Sequence, residues 1–233
     1  MKNSAVFLCA LLFTGMLSFS TSAQIKATSG IKGGMSMANL SNAKTLMELP
    51  SGVDCATRYG FTGFLFFNVQ FIDVIGAQVE AGYAMKGTRI KGTMTGEDEG
   101  VPVSAEAEGT MAVDYLEIPL LAKLCIPMPA VNPYVYAGPS LGIMLASKYY
   151  HKISATVGGQ SQSEEGTEDI KEHVNGTDFG LAFGAGITLP MGFLVDARYT
   201  LGLGTIAKKE NETTPPDLKN GVFAIMVGYG FRL

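Results

Sequence analysis

Apart from its first two dozen residues, this chain lacks any long apolar run. No later segment approaches the roughly 18 consecutive apolar residues of a helical membrane span, so no helical anchor is expected in the remainder. Histidine is nearly absent, with only His151 and His173. Cysteine is scarce: Cys9 lies in the apolar start, leaving Cys55 and Cys125, too few for a disulfide scaffold. Basic residues are not in surplus either. Seventeen Lys and Arg against 21 Asp and Glu give a net charge of −4, which argues against a nucleic-acid partner.

The start itself is informative. Lys2 precedes an apolar run from Val6 to Phe19, and Thr21-Ser22-Ala23 supplies small residues before Gln24. A basic beginning, a short apolar region and small residues at a cleavage point predict a signal peptide over 1–23, removed after Ala23. Cys9 follows Phe7-Leu8 rather than small residues, so a lipoprotein signal is not expected. Residues 24–233 have the size of one β domain.

Glycine is abundant at 29 residues, and the remaining sequence alternates. Eight stretches switch between apolar and small or polar residues: 31–40, 58–67, 76–86, 112–124, 134–147, 178–189, 193–204 and 221–233. A two-residue period places successive side chains on opposite faces of a strand. In the sixth stretch Phe179, Leu181, Phe183, Ala185 and Ile187 share one face, against Asp178, Gly180, Ala182, Gly184 and Gly186. Long segments (41–57, 87–111, 148–177, 205–220) alternate with short ones (68–75, 125–133, 190–192), which puts all long loops at one end. The expected fold is all-β: an eight-stranded antiparallel up-and-down transmembrane barrel with short periplasmic turns and long extracellular loops.

A soluble barrel would wet one face with many Lys and Glu. Here the second face is mostly Gly, Ala, Ser and Thr, with Glu80, Lys86, Glu117, Lys123, Asp196, Arg198 and Arg232 as its charges. That face suits a narrow filled lumen, and the bulky apolar face suits lipid. Glu80, Glu117, Lys123, Asp196 and Arg198 are expected to form a structural network of ion pairs inside the barrel. Eight strands leave an interior that side chains fill, and isolated charges there would be costly. The competing reading of the same residues is a charged constriction selecting solutes.

Four segments resemble strand motifs of the PorT-like outer-membrane β-barrel (porin-like) family: Tyr115-Leu-Glu-Ile-Pro-Leu-Leu-Ala-Lys123, Pro133-Tyr-Val-Tyr-Ala-Gly-Pro-Ser-Leu-Gly142, Asp178-Phe-Gly-Leu-Ala-Phe-Gly-Ala-Gly186 and Ala197-Arg-Tyr-Thr-Leu-Gly-Leu203. The resemblance runs from about Gly33 to the C-terminus. It implies a small barrel of a family with few assigned roles, some members of which are linked to protein secretion, and it supplies no catalytic residues. The ending Gly228-Tyr-Gly-Phe-Arg-Leu233 departs from the family pattern, since two residues follow the terminal aromatic.

The long segments carry the side chains that could support chemistry. His151 and His173 lie near Glu164, Glu165, Glu168, Asp169 and Glu172, with Ser161 and Ser163 close by. A His–carboxylate pair can activate a serine, but no nucleophile-elbow pattern accompanies them, and a flexible solvated loop is the expectation. The same carboxylates, with Glu97, Asp98 and Glu99, offer oxygen ligands for Ca²⁺ or Mg²⁺ without the spacing of a calcium loop. Asn175-Gly-Thr177 and Asn211-Glu-Thr213 match a glycosylation pattern that is uninformative in a bacterial envelope.

The sequence therefore predicts a non-enzymatic Gram-negative outer-membrane barrel with no catalytic, cofactor-binding or metal residues and no cofactor. Its surface loops would serve binding, adhesion or envelope organisation. Partners would be outer-membrane lipid and an unidentified extracellular ligand or envelope protein, with the barrel acting as a monomer. A narrow solute channel is the alternative, and a secreted soluble ligand-binding barrel the third reading. Cys55 and Cys125 should remain thiols. They belong to opposite rims of an apolar band about 25 Å tall, whereas a disulfide needs Cα atoms within about 7 Å.

Overall fold

The computed structural model describes residues 26–41, 53–98, 101–157, 160–208 and 217–233, with backbone alone at 94, 96–98, 101–103 and 157. The expected signal peptide, Glu99 and the Asn211 motif lie outside the described residues, and of Glu97 and Asp98 only the backbone is described. Among the described residues ten strands form: β1 Lys26–Ser41, β2 Val53–Ala56, β3 Arg58–Gln70, β4 Ile75–Asp98, β5 Val101–Cys125, β6 Asn132–Val157, β7 Gln160–Asp169, β8 Thr177–Thr188, β9 Phe193–Gly202 and β10 Lys219–Arg232. A short 3₁₀ turn, Lys171–His173, precedes β8.

Eight of these close a ring in the order β1-β3-β4-β5-β6-β8-β9-β10, every pair antiparallel. Closure falls between the first and last strands, where Thr28 pairs with Arg232 and Ser41 with Lys219. The short connections at 71–74, 126–131 and 189–192 share one end with Lys26 and Arg232. Gly192 takes φ +92° in the tightest of them, a left-handed conformation that a Cβ disfavours.

The alternation sorts the faces as the period requires. β9 reads exposed-buried without a break. Outward side chains are apolar and bare, with Leu65, Met35 and Val227 each about two-thirds exposed. Inward positions carry the polar residues. No helix of the described residues is long and apolar enough to cross a membrane; the barrel presents its apolar belt through strands.

Small residues on the inner wall make room for large ones. A Cβ at Gly184 would lie 2.4 Å from the Ala197 carbonyl and 2.5 Å from the Tyr136 hydroxyl, and one at Gly186 would lie 2.5 Å from Tyr134. The tyrosines of β6 lie over β8 only because β8 is bare there.

Two expectations about connections are corrected. The segments 87–111 and 148–177 are not simple loops: β4, β5 and β6 continue through them, and β7 adds a further strand at 160–169. Both faces of these extensions meet solvent, so no continuous apolar face marks them as strands. Arg232, assigned by alternation to the lumen face, is exposed at the end of β10, past the level where the ring encloses side chains.

Candidate functional site: a filled lumen and a projecting sheet

Among the described residues the inner wall holds five cations and four carboxylates at 9% exposure or less: Lys32, Arg58, Lys86, Lys123, Arg198, Glu80, Glu117, Asp178 and Asp196. Arg58 pairs with Asp114 at 3.4 Å, apart from the charged groups of the other eight. They form two clusters. In the one nearer the short turns, one terminal nitrogen of Arg198 reaches both oxygens of Glu80 at 2.8 Å, and Lys32 bridges Glu80 (2.9 Å) and Asp196 (3.3 Å). Tyr136 and Tyr134 donate to Asp196 at 2.6 and 3.0 Å, while Arg198 Nε donates to the Tyr136 hydroxyl at 3.1 Å. Gln78 donates to Glu80 at 2.5 Å.

The second cluster lies toward the long connections. Lys86 bridges Glu117 (2.9 Å) and Asp178 (3.2 Å). Ser140 donates to Glu117 at 2.9 Å and Asn220 to Asp178 at 2.9 Å. Above it Leu40, Val113, Tyr115, Val174, Ile206 and Leu218 pack into an apolar cap. Val174 and Ile206 enter this cap from outside the ring strands. They are held by a bridge between Val174 and Ala207 and by Asn175, whose side chain donates to the carbonyls of Thr205 and Ala207.

Of the residues singled out by sequence, Glu80, Asp196 and Arg198 meet in the first cluster and Glu117 sits in the second. Lys123 points inward but pairs with neither Glu117 nor Glu80 as expected. It donates to Gln78 at 3.2 Å and sits 3.7 Å from the Tyr134 ring centroid. Glu117 lies six residues up the same strand, roughly 20 Å away, and Lys86 takes it instead. Lys32, Lys86 and Asp178 were missed as network members: Lys86 was placed on the lumen face but not in the network, and the alternation Lys32-Gly34-Ser36-Ala38 and Asp178-Gly180-Ala182 marks the other two as inward.

Beyond the ring, one side of the wall keeps going. β3 leaves β4 after Thr62–Ala84, but β4 and β5 stay paired to Asp98–Val101 and β5 and β6 to Val103–Val157. β7 lines β6 from Lys148–Asp169 to Val157–Gln160, and β2 borders β4 at 89–92. The result is a five-stranded sheet, β2-β4-β5-β6-β7, projecting from the end with the long connections. Twelve residues of β4 follow Lys86, roughly 40 Å of strand.

Its outer face carries a charge ladder across four strands. Lys91 reaches Glu108 at 2.8 Å, and Lys152 reaches Glu165 at 2.5 Å; Glu108 and Lys152 are directly opposite. Lys91 and Arg89 hold the Glu108 carboxyl below the usual carboxylate range, and Glu165 holds the Lys152 ammonium above the usual lysine range. The face turned toward the barrel axis carries Ile90, Met111, Tyr149, His151 and Ile153.

This geometry separates the residues weighed for catalysis. Ser161 and Ser163 share the face of Lys152, whereas His151 is on the other, its ring 6.0 Å from that of Tyr149. The carboxylates of β7 divide in the same way: Glu165 and Asp169 on one face, Glu164 and Glu168 on the other. Cys55 packs beside the apolar cap and Cys125 beside Tyr134 and Leu121 at the other end; no disulfide joins them.

The chain is similar to several solved structures. Ail, the attachment invasion locus protein of Yersinia pestis, shares 18% identity at TM-score 0.35, over 88% of this chain and 99% of that one. OprG from Pseudomonas aeruginosa shares 14% at TM-score 0.40, over 89% and 96%. Neisserial surface protein A shares 14% at TM-score 0.37, over 87% and 97%. No curated protein matches. A family model described as outer membrane protein beta-barrel domain covers residues 19–208, most of the chain, and the protein belongs to that family.

Proposed function

We propose that this outer-membrane barrel neither catalyses nor conducts, and that it acts at the cell surface through binding or adhesion by its projecting sheet. It is read here as a PorT-like member of its family, exported by a signal peptide removed after Ala23 and inserted as a monomer. The observation that carries the proposal is the contrast between the two ends of the molecule. Charge pairs span the lumen, while three strands of the wall extend far past the rim and recruit β2 and β7. A barrel that needed only to sit in lipid gains no burial from such an extension, whose side chains are largely wet.

A channel role is disfavoured by the same packing. Solute would have to displace Arg198 from Glu80 and Lys32 from both its partners, in a site where each lost pair leaves a buried charge.

The test trims the two hairpins at the strand level of the rim, joining β4 to β5 and β6 to β8 by short turns. Cells bearing the full protein should be retained on at least one of fibronectin, laminin or collagen coats, and cells bearing the trimmed barrel should not. Equal retention of both would remove the projecting sheet from the function.

A further inference from the structure

The outer border of the projecting sheet is β7, and its far side pairs with no strand among the described residues. Its residues are exposed throughout except Gly166, which is half-buried. The Ile170 amide donates to the Ser147 carbonyl, which fixes the phase of the ladder. With an alternating antiparallel pattern, the even-numbered residues of β7 bond to β6. The backbone N–H and C=O groups of Ser161, Ser163, Glu165, Thr167 and Asp169 therefore face the open side. That is a row of donors and acceptors long enough for a partner strand of nine or ten residues.

Charge sets which strand fits. Across the sheet the ladder reads Lys91, Glu108, Lys152, Glu165, changing sign at each step. Opposite charges directly across a pair of strands stabilise it and like charges weaken it, so the position beyond Glu165 calls for a cation. Asp169 repeats the demand on this face, and Glu164 and Glu168 make it on the other. A second copy of β7 would set carboxylate against carboxylate, so the border rejects self-pairing, a common hazard of open strands.

We propose that the free side of β7 is a docking edge for an extended cationic segment of another protein, which adds as a sixth strand and places a Lys or Arg opposite Glu165. The inference rests on the projecting sheet being the binding surface and names the chemistry of its partner.

The test uses the full protein in detergent micelles and a labelled, end-capped ten-residue peptide alternating Lys and Thr, read by fluorescence anisotropy at low salt. Saturable binding is expected, at least tenfold weaker for the Glu165→Lys/Glu168→Lys protein and for a peptide N-methylated at every amide. The methylated peptide keeps its charges but cannot complete the ladder, so its test stands even where the charge variant folds poorly. Absence of binding, or equal binding of the methylated peptide, would overturn strand addition. Thr167→Pro removes one outward donor without touching the β6 ladder, and should also weaken the peptide at least tenfold; undiminished binding would overturn the proposal. Matrix retention lost on trimming the hairpins, with no peptide binding to the full protein, would sink the edge and leave the platform standing.

Discussion

Arg198 and Glu80 face each other across the full width of the barrel. β9 and β4 are four steps apart around the ring in either direction, yet a single guanidinium nitrogen lies 2.8 Å from both carboxylate oxygens. A contact of that kind obstructs the bore at its level. Breaking one side of a buried pair costs about 3–5 kcal/mol, because the partner is left charged and unpaired. Arg198→Met should therefore lower the urea midpoint of the detergent-solubilised barrel strongly, while Glu80→Gln/Arg198→Met recovers part of the loss. A single variant as stable as wild type would show that the pair is not formed.

Close approach of Tyr136 to the bare backbone of β8 gives a second test. Gly184→Ala places a Cβ against the Ala197 carbonyl as well as the tyrosine hydroxyl, and backbone cannot retreat as a flexible side chain does. Gly176→Ala meets nothing within 4 Å. The first should reduce the fraction of barrel showing a folded, heat-modifiable gel band, and the second should leave it unchanged.

Inward alternation was legible wherever one face was apolar, which is why the eight ring strands and the inward charges Glu80, Glu117, Asp196 and Arg198 could be read from sequence. Lys32 and Asp178 obeyed the same rule and needed only to be followed strand by strand. Partner choice was not legible: Lys123 finds Gln78 and a tyrosine ring because its reach is set by register, which alternation does not encode. The projecting sheet was hidden for a different reason. Residues 87–111 and 148–169 bury no continuous face, so their polar composition resembles that of a loop, and only cross-strand pairs such as Lys152–Glu165 reveal the strand.

The ladder on that sheet should depend on pH in a defined window. Glu108 is held below its ordinary value by Lys91 and Arg89, so its contribution is present above the unfolded carboxylate pKa and lost as pH falls through the depressed one. Lys152 is held above its ordinary value by Glu165, so its contribution persists below the unfolded lysine pKa and disappears as pH rises through the raised one. The protection of amides in β5 and β6 near Glu108 and Lys152, taken relative to the intrinsic exchange rate at each pH, should fall at both extremes and stay high between them. Glu108→Gln should erase the acid limb alone. An acid limb that survives this substitution would assign it to another group.

Orientation can be read by labelling. Glu165 stands on the projecting sheet and Ala130 in the short 126–131 connection at the opposite end, both exposed. In a background with Cys55 and Cys125 replaced by Ser, Glu165→Cys should react with an impermeant maleimide on intact cells. Ala130→Cys should react only after the outer membrane is permeabilised. The reverse pattern would turn the molecule over and place the sheet in the periplasm.

The closed lumen is tested most directly by single-protein conductance in a planar bilayer with concentrated KCl. Wild-type protein should insert without current steps above baseline, and the Lys32→Ala/Glu80→Ala/Arg198→Ala variant should show small, flickering steps because the charge pairs spanning the bore are gone. A steady open-channel current from the wild-type barrel would contradict the account.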